Sequence, residues 1–181
     1  DESHQNEYLK DIFDMYSNPE VLDSRYVLHL EDDWLLQSSN MDLEYYIYEA
    51  IKTLEENHDI LQVRFPRFSN EFDRINGLKK KHGIDAWAVH CGGNYFLHND
   101  FSLNPSIFRS RDLYMASILM KRNPQVFPAH VEHGFGQALK YFGNPFNCFA
   151  AFYPELIRAY HIGSPIGEED KFEGVIDLLK M

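Results

Sequence analysis

The sequence predicts an α/β fold in one domain of 181 residues. Two β-rich apolar runs, residues 25–30 and 60–65, flank a segment with the spacing of an amphipathic helix. Strand, helix, strand in that order is the crossover unit of an α/β sheet. A hydrophobic share of 44% indicates a globular chain with a substantial core. No repeat or break in composition separates parts of residues 1–181, so one domain is expected.

The first predicted elements are a helix and a strand. Tyr8, Ile12 and Tyr16 have helical spacing, and Pro19 ends that helix. Residues 25–30 then form an apolar run without polar alternation, which is typical of a strand covered on both faces. We therefore expect the chain to pass from a surface helix into a buried strand.

Three consecutive acidic residues, Glu31, Asp32 and Asp33, follow this strand directly. Ligands of open α/β sheets bind beyond the carboxyl ends of the strands, which is where these carboxylates stand. Adjacent carboxylates repel one another, and a hard divalent cation with oxygen ligands offsets that repulsion. The segment alone leaves two interpretations open, a metal site and a solvated acidic loop.

The remaining elements follow in chain order. Asn40 or Asp42 can cap a helix whose apolar residues between Leu43 and Leu54 share one face. Residues 66–86 contain scattered glycine, proline and mixed charge, which predicts a long loop. Beyond it the pattern predicts strands at 87–90, 94–98 and 106–109, helices at about 111–121 and 132–142, strands at 147–153 and 156–161, and a charged amphipathic helix at the end.

Composition bounds the partners and the compartment. A formal net charge of −11 argues against a protein that grips nucleic-acid phosphates. The two cysteines, Cys91 and Cys148, lack a metal-binding spacing and are too few for a disulfide framework, which favours a reducing compartment. No apolar run approaches the ~20 residues of a membrane span, and the first residues do not form a signal peptide. We expect a cytoplasmic location, with a membrane surface left open.

Three later segments carry candidate chemistry. Ser102, Asn104 and Arg109 alternate with apolar residues and could line one wall, although an edge strand explains the same pattern. Glu132 stands at the start of a predicted helix, where it is either a cap favoured by the helix dipole or a general base. His161 precedes a glycine turn, and a lone histidine is more often structural than a ligand.

The set and its order resemble the glycosyltransferases of the GT-A fold, and more narrowly the metal-dependent sugar transferases with a Glu-Asp-Asp-Trp version of the DXD motif. The motif here is Glu31-Asp32-Asp33-Trp34, and the resemblance extends from about residue 25 to residue 164. It implies a GT-A-like, Rossmann-like mixed sheet flanked by helices. Members of this group place nucleotide-binding α/β structure before the motif, whereas only 30 residues precede it here. We therefore expect a fragment of a longer chain, truncated at its amino terminus, with a reduced architecture that holds the nucleotide differently as the alternative.

The resemblance also implies roles for the acidic motif. Asp33 would bind Mn²⁺ or Mg²⁺ directly, and His161 would complete the metal site. Glu31 would approach the donor ribose or a metal-bound water, and Asp32 would support the donor sugar. Arg109 is a candidate for contact with the donor diphosphate, with a surface salt bridge as the alternative.

Glu132 matches the position of the catalytic carboxylate in these enzymes. The resemblance then implies an inverting transfer from a nucleotide-sugar donor to a saccharide or other hydroxyl acceptor. A second hypothesis is a non-catalytic carbohydrate- or nucleotide-binding module of the same fold. A metal-dependent phosphohydrolase ranks last, because it needs more metal ligands near the triplet than the sequence offers.

Overall fold

The computed structural model of the chain describes residues 11–30, 34–38, 42–82, 86–126, 131–141 and 149–161, without the side chains of residues 79–82, 131–133 and 161. The helices are residues 11–16 (α1), Leu43–Glu56 (α2), Glu71–His82 (α3), Ser110–Arg122 (α4) and Val131–Lys140 (α5), and Pro19–Asp23 forms a 3₁₀ turn. The strands are Tyr26–His29 (β1), Trp34–Ser38 (β2), Gln62–Arg64 (β3), Ala88–His90 (β4), Tyr95–His98 (β5), Ser106–Arg109 (β6), Phe149–Phe152 (β7) and Ile157–His161 (β8).

Six strands form a mixed sheet in the order β1-β6-β3-β7-β5-β4, and β2 pairs with β8 in a separate two-stranded sheet. Strand β3 runs parallel to β7, and β6 runs antiparallel to both β1 and β3. Strands β1, β3 and β7 therefore point the same way and end at one edge of the sheet, with His29, Arg64 and Phe152. We call this the carboxyl edge. The predicted α/β class, a mixed sheet flanked by helices, is confirmed.

Helices cover both faces of the six-stranded sheet. Helix α2 places Tyr46, Ala50 and Leu54 against Val63 and other residues of one face, at the helical spacing predicted from the sequence. Helices α1, α4 and α5 cover the opposite face, where Phe135 is fully buried in the core. Neighbouring residues of β6, Ile107 and Phe108, thus enter two different core clusters on opposite faces of the sheet.

The predicted loop at 66–86 is wrong, because helix α3 occupies Glu71–His82 within it. Ile75 is fully buried in a core cluster, and Phe72 packs on that cluster one turn away. No close contact requires a glycine at position 77 of this helix, since nothing lies within 4 Å of a methyl group built there. The short strand β2 was also missed, because its partner β8 lies far along the chain.

The prediction of a first strand buried on both faces is wrong as well. In the described part of the chain β1 pairs only with β6 and is an edge strand. Leu28 is 40% exposed, whereas His29 at the carboxyl end is buried. An apolar run such as residues 25–30 is therefore compatible with a strand at the edge of a sheet.

Some predictions fall outside the described residues. These are the start of the first helix, residues 142–148, and the amphipathic helix expected after residue 161. Cys91 is exposed with a free thiol, and Cys148 is not described. Within the described ranges, no helix combines the length and the apolarity that crossing a membrane requires.

Candidate functional site

The candidate site lies at the carboxyl edge, where the acidic triplet joins β1 to β2. Residues 31–33 are outside the described part of the chain, but both flanking segments are fixed. On one side, the Tyr16 hydroxyl lies 2.5 Å from Nδ1 of the buried His29. On the other side, Trp34 begins β2. The strands that precede and follow the triplet in the sequence are therefore both described.

Strand pairing places position 161 beside Trp34, the residue that follows the triplet. In the β2–β8 register, Trp34 is the antiparallel partner of His161. Partners in such a pair have Cα atoms about 4.5–5.5 Å apart, and the peptide bond holds consecutive Cα atoms about 3.8 Å apart. Residue 161 is therefore paired with the residue that directly follows the acidic triplet in the sequence.

The metal site that the resemblance implies would use side chains that the structure does not describe. Among the side chains that the structure describes, no three His, Cys, Asp or Glu groups come close enough to hold a metal ion. The acidic triplet lies outside those residues, as do the side chains of Glu132 and His161. The roles of Glu31, Asp32 and Asp33 thus remain predictions.

The segment after β3 ties the site together. The backbone N–H of Phe65 donates to the carbonyl of Pro105 at 2.9 Å, which links β3 to the segment that precedes β6. The backbone N–H of Ala159 donates to the carbonyl of Pro66 at 2.9 Å, which links the same segment to β8. The small sheet is therefore held against the carboxyl edge of the large one.

Two arginines lie in this region. The guanidinium of Arg67 lies 6.0 Å from the ring centre of Trp34 and 4.9 Å from that of Phe68. Arg158 donates from Nη2 to the carbonyl of Arg67 at 3.1 Å, and its guanidinium lies 4.9 Å from the Tyr160 ring centre. The Arg67 guanidinium therefore stands beside Trp34, and Arg158 holds the backbone of Arg67.

A buried ion pair supports the Arg67 segment. Arg64 donates to Glu71 at 2.8 Å, and both side chains are almost completely buried. The second oxygen of Glu71 accepts from the backbone N–H of Phe68 at 3.1 Å. Glu71 thus fixes both the arginine and the loop that leads to Arg67.

Burial, together with the charge of Arg64, holds the pKa of His98 well below its usual value, so this histidine is neutral.

Residue 132 lies in the first turn of α5, and its side chain is not described. Farther along the same helix face, Lys140 donates to the carbonyl of Asn99 at 2.8 Å. A methyl group built on Gly136 would lie 2.6 Å from Cβ of Phe101. Positions 132, 136 and 140 share one face, so the helix runs back along the chain segment that approaches β6. Position 132 therefore lies one helical turn from the contact of α5 with Phe101.

Arg109 lies at the opposite edge of the sheet, because it ends β6 and pairs with the first residue of β1. Its Nη1 donates to the carbonyl of Ile60 at 2.8 Å and to Asp112 at 2.9 Å. Its Nη2 donates to the carbonyls of Asn57, at 2.9 Å, and Leu54. These contacts secure the end of α2, and we leave Arg109 out of the proposed donor site.

An open groove of about 730 Å³ lies at the same opposite edge. Arg25 and Glu55 in its lining form an ion pair at 3.2 Å, and the Tyr26 hydroxyl donates to the same carboxylate at 3.2 Å. These groups satisfy one another and are remote from the acidic triplet. We assign no substrate to the groove.

Sequence reasoning missed Arg67 and the Arg64–Glu71 pair. Arg67 and Glu71 fall in the segment predicted as a loop, and Arg64 lies in the predicted strand just before it. The available signal was that Arg67 follows the second of two parallel strands, at the edge where the triplet follows the first. Comparison of the chain with protein-family models, with curated proteins and with solved structures found no match.

Proposed function

We propose that this chain is a divalent-metal-dependent glycosyltransferase of the GT-A kind. It transfers a sugar from a nucleotide-sugar donor to a hydroxyl group of a saccharide or other acceptor, with inversion at the anomeric carbon. One observation carries the proposal: the β2–β8 register pairs Trp34, the residue that follows the acidic triplet, with His161.

The residues that meet there suit a divalent cation. Carboxylate oxygens are the ligands that Mg²⁺ and Mn²⁺ prefer, and imidazole adds a neutral nitrogen ligand. Asp33 and His161 would hold the ion, and Glu31 and Asp32 would stand beside the donor ribose and sugar. The bound cation would supply Lewis-acid stabilisation for the diphosphate that leaves.

Glu132 is the proposed general base. Its carboxylate takes the proton of an acceptor hydroxyl, and that oxygen forms a bond to the anomeric carbon on the face opposite the diphosphate. The bond between the anomeric carbon and the diphosphate oxygen breaks, and its electron pair leaves with the nucleoside diphosphate. The first turn of a helix favours the ionised carboxylate that this role needs.

Arg67 and Arg158 support the proposal from the other side of the triplet. Guanidinium groups match phosphate oxygens in geometry and charge. Both arginines contact aromatic rings near the start of β2 or the end of β8. They would neutralise charge on the diphosphate, which is the role first suggested for Arg109.

The metal assignment is tested with Asp33→Asn, because one ligand charge is lost while the side-chain volume is kept. Release of nucleoside diphosphate from a panel of UDP-, GDP- and TDP-sugars is measured with Mn²⁺ and acceptor glycosides. We expect Asp33→Asn to abolish transfer. Asp42→Asn is the matched control, since the Asp42 side chain makes no capping hydrogen bond at the start of α2.

Full transfer by Asp33→Asn would contradict the metal assignment. Binding of a nucleotide in the presence of Mn²⁺, without any turnover by the wild-type chain, would instead assign the non-catalytic binding module.

Substitution of Glu132 by Gln tests the base. We expect turnover to fall by about 10²–10⁴-fold, the range for loss of a general base, while donor affinity stays unchanged. A weaker donor affinity with unchanged turnover would contradict the base role. Donor affinity is measured by calorimetry with the nucleoside diphosphate and Mn²⁺, and turnover by single-substrate saturation curves.

A further inference from the structure

We propose that Asn104 recognises the acceptor: its side-chain amide hydrogen-bonds to hydroxyl groups of a saccharide, and Gln62 is the positioning residue that holds it in place. This inference deepens the proposed function and rests on it for the identity of the acceptor. It assigns a substrate class, a neutral polyhydroxylated ring, to the turn that precedes β6.

The environment of Asn104 is unusual for an asparagine of this fold. It is half-buried, whereas its neighbours Leu103 and Pro105 are buried. Within the described ranges, its side-chain amide makes no hydrogen bond. By contrast, Nδ2 of Asn57 donates to Thr53 and Nδ2 of Asn123 donates to Leu119, each across the end of a helix. A half-buried amide without a protein partner is available for a ligand.

The backbone that carries Asn104 is held rigidly. Its N–H donates to the Ser102 hydroxyl at 3.2 Å, and its carbonyl accepts from the Ser106 hydroxyl at 2.9 Å. Pro105 restricts the backbone conformation of the residue before it. The backbone of Asn104 is therefore fixed before any ligand arrives, which lowers the entropic cost of binding.

Gln62 supports the turn from the sheet beneath it. Its side chain is fully buried, and Nε2 donates to the Ser102 carbonyl at 2.7 Å and to the Ser106 hydroxyl at 3.0 Å. One amide of β3 thus ties together both ends of the turn. A buried polar side chain at the centre of a sheet is costly unless it is used in this way.

Position and chemistry point to an acceptor saccharide. The turn follows Phe101, which packs against α5 one helical turn from position 132. The acceptor hydroxyl must lie near the base at that position. An amide offers both a donor and an acceptor without charge, which matches a sugar hydroxyl better than a phosphate. Arg67, whose guanidinium suits phosphate, lies instead beside Trp34.

The test compares Asn104→Ala with Asn123→Ala. Binding of methyl α-D-glucoside, methyl β-D-galactoside and methyl α-D-mannoside is followed by saturation-transfer NMR, and stability by thermal unfolding. Asn104→Ala should weaken glycoside binding at least about tenfold while the midpoint of unfolding stays unchanged, because the amide makes no intramolecular bond. Asn123→Ala should do the reverse, because it removes the cap of α4.

A third variant, Gln62→Met, tests the positioning role. We expect the KM for the acceptor to rise at least about threefold. The KM for the donor and the turnover at saturating acceptor should stay within about twofold of wild type. A merely structural role would lower the unfolding midpoint without changing the acceptor KM of the folded protein. That result would overturn the assignment of Gln62.

The inference and the proposed function fail in different ways. Loss of glycoside binding in Asn104→Ala, in a chain that transfers no sugar, would leave the saccharide site standing and overturn the transferase. Transfer with an unchanged acceptor KM in Asn104→Ala would support the transferase and overturn the role of Asn104. The inference is also overturned if the wild-type chain binds none of the glycosides.

Discussion

Two glycines in helices predict opposite responses to the same substitution. Alanine is more favourable than glycine by about 0.8–1.0 kcal/mol inside a helix. Gly77 lies in α3 with nothing within 4 Å of a built methyl group. Gly77→Ala should therefore stabilise the protein by about 0.5–1 kcal/mol.

At Gly136 the same methyl group has no room. It would lie 2.6 Å from Cβ and 2.9 Å from Cγ of Phe101. The Phe101 ring is enclosed by Phe135, Phe149 and Phe108, with ring centres 5.6, 5.4 and 6.5 Å away, so α5 must move outward. Overpacking of this kind costs about 1–3 kcal/mol, which cancels or exceeds the gain in helix propensity.

The difference in unfolding free energy between the two variants isolates this overpacking cost, because both gain the same propensity. Urea denaturation followed by circular dichroism measures it, with equal m-values as the check that the unfolding reaction is the same. We expect Gly136→Ala to be less stable than Gly77→Ala by about 1–3 kcal/mol. The outward shift of α5 should also lower turnover through Glu132. Equal stabilisation by both alanines would refute the packing of Phe101 on α5.

Two further predictions concern stability. Arg109→Met should cost about 3 kcal/mol of unfolding free energy, because the carbonyls at the end of α2 lose a charged donor, and thermal unfolding measures it. An intact fold with a raised donor KM would return Arg109 to the donor site. Below about pH 6.5 the unfolded chain takes up a proton that the buried His98 excludes. The contribution of His98 to the free energy of unfolding should therefore be fully present above that pH. Below it, the free energy of unfolding should fall by up to about 1.4 kcal/mol per pH unit. His98→Leu should flatten this dependence, and equal slopes in denaturation at several pH values would contradict it.

The sequence was informative where structure depends on local pattern. The crossover from β1 through α2 to β3 follows from one amphipathic stripe between two apolar runs, and each element was found. Helix α3 was not found, because Gly77 and a run of lysines obscure the short stripe formed by Phe72, Ile75 and Leu78. Its acidic first turn was an available signal.

Long-range features escaped the sequence. The burial of β1 depends on whether another strand lies beyond it, which its own residues do not encode. The role of Arg109 depends on carbonyl groups at the end of α2. No sequence pattern shows which backbone carbonyls need a hydrogen-bond donor from elsewhere in the chain. The order of the candidate site residues suggested that Asp33 and His161 act together, but only the β2–β8 register gives a physical reason.

Mn²⁺ affinity in a double-mutant cycle of Asp33→Asn and His161→Asn tests the central claim most directly. Calorimetric titration of the wild type, both single variants and the double variant gives four dissociation constants. Two ligands of one cation should each weaken binding when replaced, with a coupling energy of about 0.5–3 kcal/mol. Wild-type affinity in His161→Asn, or effects that simply add, would contradict a shared metal site.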